Sequence, residues 1–390
     1  MKIALFSIIL NQHQAAVADE LWVQTNHQFA FVELEHIGDT KGGTEDYSTR
    51  PYLLQAWKSQ DARRKAFEWA ISADVCIFSG AQSLPFQRER MKRELLSFEM
   101  SERWLKRGWK NLLSPNLLKN LWNYHIGHWS RKPLYKLCCG AFCAHDQYAL
   151  HTFKNRCYKW GYFTKVNRIL IREDSPWLFK NRQPALMWCA RYLTLKHPEL
   201  PIMMAARLKK EGYHFMLDMY GCGEYEERAK LLASDLGVDD IVHFIGTKPN
   251  NELLEDMKQH DVFLFTSDRN EGWGAVANES MANGCVLVAS DAIGSVPYLV
   301  KDGVTGIVFH APICSSGFDN PDLVSLDDLC TKVKALLDNP SKIKKISRQG
   351  IFQMQEVWSP QVATYRLLTL IDCLQQGKDT VFDDGPCSKA

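Results

Sequence analysis

The sequence predicts an α/β protein with two doubly wound, Rossmann-like domains. The chain has 390 residues, and at roughly 150 residues per domain this length favours two domains. Its composition, 46% hydrophobic and 24% charged, is that of a globular protein and excludes a disordered chain. Short runs rich in Val, Ile, Leu and Phe alternate with amphipathic segments, which is typical of parallel sheets covered by helices on both faces.

The first half of the chain contains short apolar runs that we interpret as buried strands. They lie at residues 3–9, 29–34, 74–79, 95–99 and 140–143. Amphipathic segments at 62–71 and 86–93 predict helices between strands. The pattern breaks in a charged, proline-bearing stretch at 167–184, so we expect a first domain over residues 1–165.

The second half repeats the alternation more regularly. Strands are predicted at 185–191, 214–220, 241–245, 261–266, 286–289 and 306–309. Helices are predicted between them at 202–210, 224–236, 251–259 and 275–283, and after them at 326–337, 341–356 and 361–376. We expect a second domain over residues 183–360. In doubly wound domains, ligands bind beyond the carboxyl ends of the strands.

The most informative segment is 267–284, which reads as a loop and a short helix after a buried strand. Gly272 and Gly274 allow backbone amides to approach a ligand closely, and the unpaired N–H groups at a helix start suit a phosphate. Two carboxylates, Glu271 and Glu279, flank the turn, and sugar hydroxyls are natural partners for them. From these residues alone, a loop–helix capping segment with two solvated acids is an equal alternative.

The spacing of Glu271 and Glu279, inside Glu-Gly-Trp-Gly and Glu-Ser-Met-Ala-Asn-Gly, resembles the signature of retaining glycosyltransferases of family four, which have the GT-B architecture. Other segments that resemble the family occur in its order at 221–224, 242–246 and 299–306. The resemblance covers about residues 186–309 and is weak across the first 160 residues. It implies an acceptor-binding first domain, a second domain that binds a nucleotide-sugar donor, a cleft between them, and a final helix at 361–376 that packs back on the first domain.

The same resemblance implies roles for the loop and helix after residue 266. Glu279 would hold the ribose hydroxyls of the donor. Glu271, a candidate catalytic residue, would hold the donor sugar and its phosphates together with the backbone amides of Gly272, Trp273, Gly274 and Ala275. For a retaining transfer, the family implies that the acceptor hydroxyl attacks on the face that the diphosphate leaves.

Arg191 and Lys196 match the cations that the family uses to bind the diphosphate. Two fixed cations there would stabilise the negative charge that develops on the leaving group. A solvent-facing charge at a strand end is the alternative for Arg191. Thr247 lies where the family has its base-contacting loop, and the donor would be a UDP- or GDP-sugar.

The first domain departs from the family, many of whose members have a Gly-Gly loop after the first strand. Here the segment is Asn11–Gln14, and His13 is a candidate catalytic residue that can bind phosphate or acceptor, or act as a base near neutral pH. A structural polar turn is an equal alternative. Glu102 and Arg103 follow another predicted strand and are candidate acceptor-binding residues, although a surface turn is the favoured interpretation.

We expect no cofactor and no metal, since the nucleotide-sugar is a substrate and no Asp-x-Asp signature follows a strand. The closest group of possible ligands, Cys138, Cys139, Cys143 and His145, lacks the usual ligand spacing. Most of the twelve cysteines lie in apolar runs, as expected for free thiols in a reducing cytosol. The apolar amino terminus is interpreted as a first strand and not as a signal peptide.

The net charge of +2 argues against a nucleic-acid-binding protein, but the charge is unevenly distributed. Residues 87–136 contain twelve Lys and Arg against four Glu, together with four tryptophans, and the rest of the chain is therefore net acidic. This mixture suits an anionic membrane surface. A solvated charged face with the tryptophans in the core is the alternative. We expect a cytoplasmic protein, peripheral on the inner face of the membrane if this segment binds there.

The function implied by the resemblance is the retaining transfer of a sugar to a saccharide or lipid-linked saccharide. The expected context is cell-surface polysaccharide, such as capsule, O-antigen or lipopolysaccharide. Two other functions stay open: a sugar-nucleotide epimerase on a similar scaffold, and a non-catalytic subunit that binds nucleotide-sugars.

Overall fold

The computed structural model describes residues 1–36, 46–106, 108–166 and 183–390. The chain divides into two compact units, which we call the first and second units. The first comprises Met1–Lys165 and Val357–Ala390, and the second comprises Val166–Glu356. Most of the proposed boundary stretch, residues 167–182, lies outside the described residues.

The first unit is built on a seven-stranded sheet with the order β3-β2-β1-β4-β5-β6-β7, in which every pairing is parallel. Its strands are β1 (Ile3–Ser7), β2 (Phe29–Glu33), β3 (Leu53–Gln55), β4 (Val75–Phe78), β5 (Ser97–Ser101), β6 (Leu134–Cys139) and β7 (Cys157–Trp160). Its first five helices are α1 (Gln12–Gln24), α2 (Gln60–Ser72), α3 (Leu84–Lys92), α4 (Pro115–His125) and α5 (Phe142–Ala149). The strand order reverses between β1 and β4, which is where doubly wound sheets bind ligands.

The predicted strand at 140–143 is wrong. The strand there is β6, which ends at Cys139, and Gly140 (φ 112°) turns the chain into α5. β6 does not form a continuous apolar run, because Lys136 lies in its middle. This lysine is fully buried, and its Nζ donates to Glu99 Oε1 at 2.7 Å. An ion pair between neighbouring strands thus replaces the apolar side chain expected at that position.

The second unit is built on a six-stranded parallel sheet with the order β10-β9-β8-β11-β12-β13. Its strands are β8 (Ala185–Cys189), β9 (Met216–Tyr220), β10 (Val242–Gly246), β11 (Val262–Phe265), β12 (Val286–Ser290) and β13 (Ile307–Phe309). Its helices are α6 (Glu199–Lys210), α7 (Glu226–Asp235), α8 (Asn250–Met257), α9 (Val276–Ala282), α10 (Val296–Leu299), α11 (Leu323–Leu337) and α12 (Pro340–Glu356). The predicted fold class, two doubly wound α/β domains, is confirmed.

The last helix, α13 (Pro360–Gln375), belongs to the first unit and packs against α1. The segment after it runs along the edge strand β7, where the Lys159 amide donates to the Ser388 carbonyl and the Cys387 amide donates to the Lys159 carbonyl, both at 2.8 Å. This pairing covers backbone groups that an edge strand would otherwise expose. None of the helices in the described part of the chain is long and apolar enough to cross a membrane.

Candidate active site

The loops after β8 and β11 carry the residues that the sequence singles out in the second unit. These two strands are neighbours at the centre of the sheet, and the strand order reverses between them. Loops that leave neighbouring parallel strands at this point diverge and form the binding crevice of doubly wound sheets. Lys196 lies in the loop after β8, and Glu271 lies in the loop after β11.

The side chains of Lys196 and Glu271 form an ion pair. The Lys196 ammonium donates to Glu271 Oε2, and the Ser267 hydroxyl donates to the same oxygen at 3.0 Å. Only 15% of the lysine side chain and 14% of the glutamate side chain are exposed. The two predicted residues are therefore brought together and held in place before any ligand contacts them.

The buried His197 joins the same two loops, and sequence reasoning missed it. Its Nδ1 lies 2.8 Å from Glu199 Oε1, and its Nε2 lies 3.5 Å from Asp268 Oδ2. Burial alone would lower the pKa of this imidazole, but the neighbouring carboxylates of Asp268 and Glu199 raise it to about 9. His197 is therefore protonated at neutral pH and cross-links the loop next to Lys196 to the loop that carries Glu271.

Backbone contacts fix the position of Lys196 further. Thr266 Oγ1 donates to the Lys196 carbonyl at 2.7 Å and accepts from Trp188 Nε1 at 2.9 Å. The Asp268 amide donates to the Leu195 carbonyl at 2.9 Å. Because these partners come from both loops and from β8, the loop carrying the lysine is held on two sides.

The glycine loop between Glu271 and α9 has a backbone that only glycine fits. Gly274 adopts φ 76°, and a Cβ built there would overlap the ring of Phe265. The amides of Gly272, Gly274 and Ala275 donate no hydrogen bond to any residue within the described ranges. They leave donors available where the resemblance implies that the phosphates and sugar bind.

Replacing Gly274 by alanine is expected to destabilise the second unit by about 2 kcal/mol or more, because the left-handed backbone and the overlap with Phe265 both oppose a side chain. Gly237→Ala is the matched control. Gly237 also has a positive φ (63°), but its Cβ would meet no atom within 4 Å, so only the backbone cost of about 1 kcal/mol applies. Urea unfolding measures both changes, and equal losses in the two variants would contradict the close packing at Gly274.

Glu279, in α9, is a buried acid of the site, with 6% of its surface exposed. Burial raises the pKa of this carboxyl from 4.5 to about 7. No cation and no hydrogen-bond donor in the described part of the second unit pairs with the carboxyl group. Its first-turn position in α9 and its unsatisfied carboxyl suit the ribose-binding role that the resemblance implies.

The Trp273 side chain is structural. It is fully buried, and its Nε1 donates to Asn278 Oδ1 at 2.8 Å, so it ties the glycine loop to α9. Arg191 is exposed at the end of β8 and forms no ion pair with a described residue, as an anion-binding residue or a solvent-facing charge would. Thr247 is exposed after β10, an edge strand that β9 separates from β8.

The structure changes the interpretation of His13 in the first unit. The segment after β1 is the start of α1, where the Asn11 side chain caps the helix by accepting from the His13 amide at 3.1 Å. Burial lowers the pKa of His13 to about 4, and its ring is parallel to that of Tyr162 with centroids 6.0 Å apart. The imidazole is thus neutral at physiological pH, where it can accept a proton only weakly. Its catalytic role stays a prediction.

Glu102 and Arg103 line a cavity of about 360 Å³ beyond the ends of β4 and β5. The charged groups of its wall already have partners: Glu99 pairs with Lys136, Glu102 accepts from Tyr162 at 3.0 Å, and Arg103 pairs with Asp146 at 3.0 Å. The rest of the wall is amide and aromatic, including Gln87, Asn116, Asn120, Trp104, Tyr124 and Trp129. A neutral, hydroxyl-rich ligand fits such a wall better than an ion does.

The cysteines of the first unit are free thiols within the described ranges. Cys138, Cys139 and Cys143 are buried, and burial raises the pKa of Cys138 and Cys139 well above the ordinary value. Residues 1–36, 46–106, 108–166 and 183–390 contain no group of three His, Cys, Asp or Glu arranged to hold a metal ion.

The sequence around this site is similar to that of a known protein family. Residues 172–315 match the family described as Glycosyl transferases group 1. D-inositol 3-phosphate glycosyltransferase of Corynebacterium aurimucosum is 39% identical over 127 residues, 31% of this chain and 30% of that protein. A GDP-mannose-dependent alpha-(1-6)-phosphatidylinositol monomannoside mannosyltransferase of Mycolicibacterium smegmatis is 27% identical over 195 residues, 48% of each chain. The chain thus spans about a third to a half of the length of these relatives.

A crystal structure of Anabaena Alr3699/HepE in complex with UDP is similar across both units. The TM-score is 0.68 at 13% sequence identity, with 96% of this chain and 100% of that chain covered. At this identity the likeness shows the fold, and the predicted GT-B fold is confirmed. The family match contains Lys196, Glu271, the glycine loop and Glu279. Residues 172–315 of this chain therefore belong to the glycosyl transferases group 1 family.

Proposed function

We propose that the protein transfers a sugar, with retention of configuration, from a UDP- or GDP-sugar to a saccharide or lipid-linked saccharide. The observation that carries this proposal is the arrangement after β8 and β11. There, the ion pair of Lys196 and Glu271 lies in the loops that precede α9. The amides of Gly272, Gly274 and Ala275 donate no hydrogen bond to a described residue, and the buried Glu279 carboxyl in α9 has no described partner. These groups offer a cation and N–H donors for a diphosphate, and carboxylates for hydroxyl groups.

The donor would be bound by exchange of partners within the site. When the diphosphate reaches Lys196, its charge competes with Glu271 for the ammonium, and the glutamate is freed to accept from hydroxyls of the donor sugar. Arg191 is exposed and free of ion pairs to described residues, so it is available for the same diphosphate. Lys196, Arg191 and the glycine-loop amides would stabilise the charge that the leaving phosphate gains as the bond to the sugar breaks.

In the proposed transfer, the acceptor oxygen forms a bond to the anomeric carbon as the bond from that carbon to the phosphate oxygen breaks. The leaving phosphate oxygen takes the acceptor's proton, and both changes occur on one face of the sugar. His197 stays protonated throughout and keeps the two loops joined. It acts as a positioning residue, since it is fully buried and bonded to Glu199.

The cavity beyond β4 and β5 is our candidate site for the acceptor saccharide. Its charges are paired internally, and its amide groups and aromatic rings suit an uncharged sugar, whose hydroxyls and flat face need those partners. We assign the reaction to cell-surface polysaccharide synthesis at the inner face of the membrane. The M. smegmatis relative, which by its name acts on a phosphatidylinositol mannoside, supports a lipid-linked acceptor.

The products of the reaction test this function. Incubation of the protein with UDP- and GDP-sugars and a lipid extract as acceptor source is expected to release nucleoside diphosphate only when acceptor is present. NMR of the purified product should then give the same anomeric configuration as the donor. An isomerised donor would instead indicate an epimerase, and binding of donor without either product would indicate a non-catalytic subunit.

A further inference from the structure

Five large apolar side chains are exposed on one stretch of the first unit. They lie on the short 3-10 helix Gly108–Leu113 and on α4 with the residue that follows it, and each is between 52% and 84% exposed. We call them the apolar face: Trp109, Leu113, Leu118, Trp122 and Ile126. A soluble monomer rarely exposes so many large apolar side chains together without a partner for them.

The helical period explains why three of the five side chains lie on one side of α4. Leu118, Trp122 and Ile126 are spaced by four residues, which places them on the same side of α4. The opposite side of the helix holds Leu117 and Tyr124, which are buried and form part of the cavity wall. The core of the unit thus already uses one side of α4, and the apolar face contributes nothing to that packing.

The segment of sequence that contains the apolar face has charges of one sign only. Between Glu102 and Asp146 the sequence has eight Lys and Arg and no acid. Some of these cations are already paired, since Lys136 pairs with Glu99 and Arg103 with Asp146. The +8 of residues 87–136 therefore overstates the charge that is available to a partner.

The available cations lie beside the apolar side chains. Lys110 and Lys119 are exposed next to Trp109 and Leu118, and neither forms an ion pair with a residue inside the described ranges. Side chains of these types, tryptophan and leucine bordered by lysine, are those that bind at the interface of an anionic bilayer. A helix face that stays in water gains nothing from exposed tryptophans. A protein partner would explain the apolar side chains but not the absence of acidic residues from this segment.

We propose that the apolar face docks on a bilayer that contains anionic lipid, with its side chains among the headgroups and Lys110 and Lys119 at the lipid phosphates. The docking site itself is inferred without the proposed function. Only its purpose, access to a lipid-linked acceptor, rests on that function. Asn116 and Asn120, on α4, line the cavity, so docking would bring that cavity close to the headgroups. The interaction is peripheral and reversible, since it uses one face of a short helix.

Sedimentation with vesicles tests the proposal. The wild-type protein is expected to bind vesicles of phosphatidylcholine with phosphatidylglycerol, and to bind less as phosphatidylglycerol is left out or salt is added. The variant Leu118→Gln/Trp122→Gln should lower the partition coefficient at least about tenfold, because two apolar side chains no longer leave water on binding. Lys110→Gln/Lys119→Gln should reduce the dependence on phosphatidylglycerol and on salt.

The matched control is Leu231→Gln/Phe352→Gln in the second unit. These side chains are 64% and 55% exposed, similar to Trp122 and Leu118, and they lie on helices outside the apolar face. This control should sediment with vesicles as the wild-type protein does. Because all four positions are exposed, the variants should keep the wild-type thermal unfolding curve, which checks that they fold.

Failure of this proposal can be separated from failure of the proposed function. Binding of UDP or GDP depends on the second unit, and should be the same in the apolar-face variant and the wild-type protein. Vesicle binding that is absent in the wild-type protein, or unchanged in Leu118→Gln/Trp122→Gln, would overturn the docking site. A wild-type dimer that this variant converts to a monomer, without vesicle binding, would show that the face binds a second copy of the chain instead.

Discussion

Replacing Lys196 by methionine is expected to lower kcat by about two to three orders of magnitude. The variant keeps the length and apolar stem of the side chain but removes the ammonium that pairs with Glu271 and, in the proposed reaction, stabilises the leaving diphosphate. The negative charge on the leaving diphosphate is greater in the transition state than in the bound donor. The loss should therefore appear in kcat and in kcat/KM, and not in KM alone.

The control for this variant is Lys334→Met in the same unit. Lys334, in α11, pairs with Glu211 at 2.9 Å, so its replacement removes a paired cation without changing the loops that carry the candidate site residues. Initial rates of nucleoside diphosphate release, with donor and acceptor varied in turn, give both constants. A kcat for Lys196→Met within about threefold of the wild-type value would mean that this cation does not act on the leaving group.

Replacing Glu279 by glutamine is expected to weaken nucleoside diphosphate binding about 10- to 100-fold while making the unliganded protein more stable at and above pH 7. A carboxylate can accept hydrogen bonds from two ribose hydroxyls at once, and a hydrogen bond to a charged group contributes more than one to an amide. The amide has the same shape and no charge. The variant therefore removes the cost of burying a carboxylate that no cation or donor within the described ranges pairs with.

The pH dependence follows from the direction of the shift. The pKa of Glu279 is about 7 in the folded protein and 4.5 in an unfolded chain, so between these values the folded state binds the proton more tightly. Stability from this proton is fully present below pH 4.5 and is lost as the pH rises to about 7. The loss amounts to roughly 3 kcal/mol, and it should be absent from the glutamine variant.

Ligand binding should change with pH in the opposite direction. Because the proposed ribose contact needs the ionised carboxyl, affinity for UDP or GDP should rise as the pH increases through 7 in the wild-type protein and stay flat in Glu279→Gln. Urea unfolding and calorimetric titration across this range measure the two effects separately. Gln259→Glu, which adds a carboxylate after α8, controls for a general effect of net charge. Equal pH profiles for the wild-type protein and Glu279→Gln would contradict the role of this carboxyl.

The sequence was most informative where one local segment carries several constraints at once. Residues 267–284 follow β11 and contain the glycine loop and α9, and the spacing of Glu271 and Glu279 reflects the length of that loop and the first turn of that helix. The glycine at 274 is required by a positive φ and by Phe265, which is why the pattern is visible in the residues themselves. Apolar runs likewise predicted β8, β11 and β12, since both faces of these strands are buried.

Features that depend on partners distant in sequence were not predicted. β6 was not predicted because it contains Lys136, whose burial depends on an ion pair with Glu99 of the neighbouring strand. The role of His197 depends on Asp268, which is 71 residues away in sequence and belongs to the other loop. The acids Glu199 and Asp268, one near each loop, are the signal in the sequence that points to a buried cation between them. The edge strands β3 and β7 have three and four residues, too few to show a period.

The charge of residues 87–136 shows the same limitation. Counting residues gives +8, but the sequence does not tell which cations pair with acids inside the unit. Arg90 is fully buried and donates to backbone carbonyls, among them those of Ala70 and Ala73. The four tryptophans of the segment divide as well: Trp104 and Trp129 line the cavity, whereas Trp109 and Trp122 are exposed. The alternative interpretation, tryptophans inside the unit, thus holds for Trp104 and Trp129, and membrane binding by the segment stays a prediction.

Calorimetric titration of the protein with UDP and with GDP tests most directly the claim that the loops after β8 and β11 form a nucleotide-sugar site. We expect one of the two to bind with a stoichiometry of about one, and expect binding to be strongly weakened in both Lys196→Met and Glu279→Gln. The apolar-face variant Leu118→Gln/Trp122→Gln should bind as the wild-type protein does. Binding of neither nucleotide, or binding that both second-unit variants leave unchanged, would contradict the account.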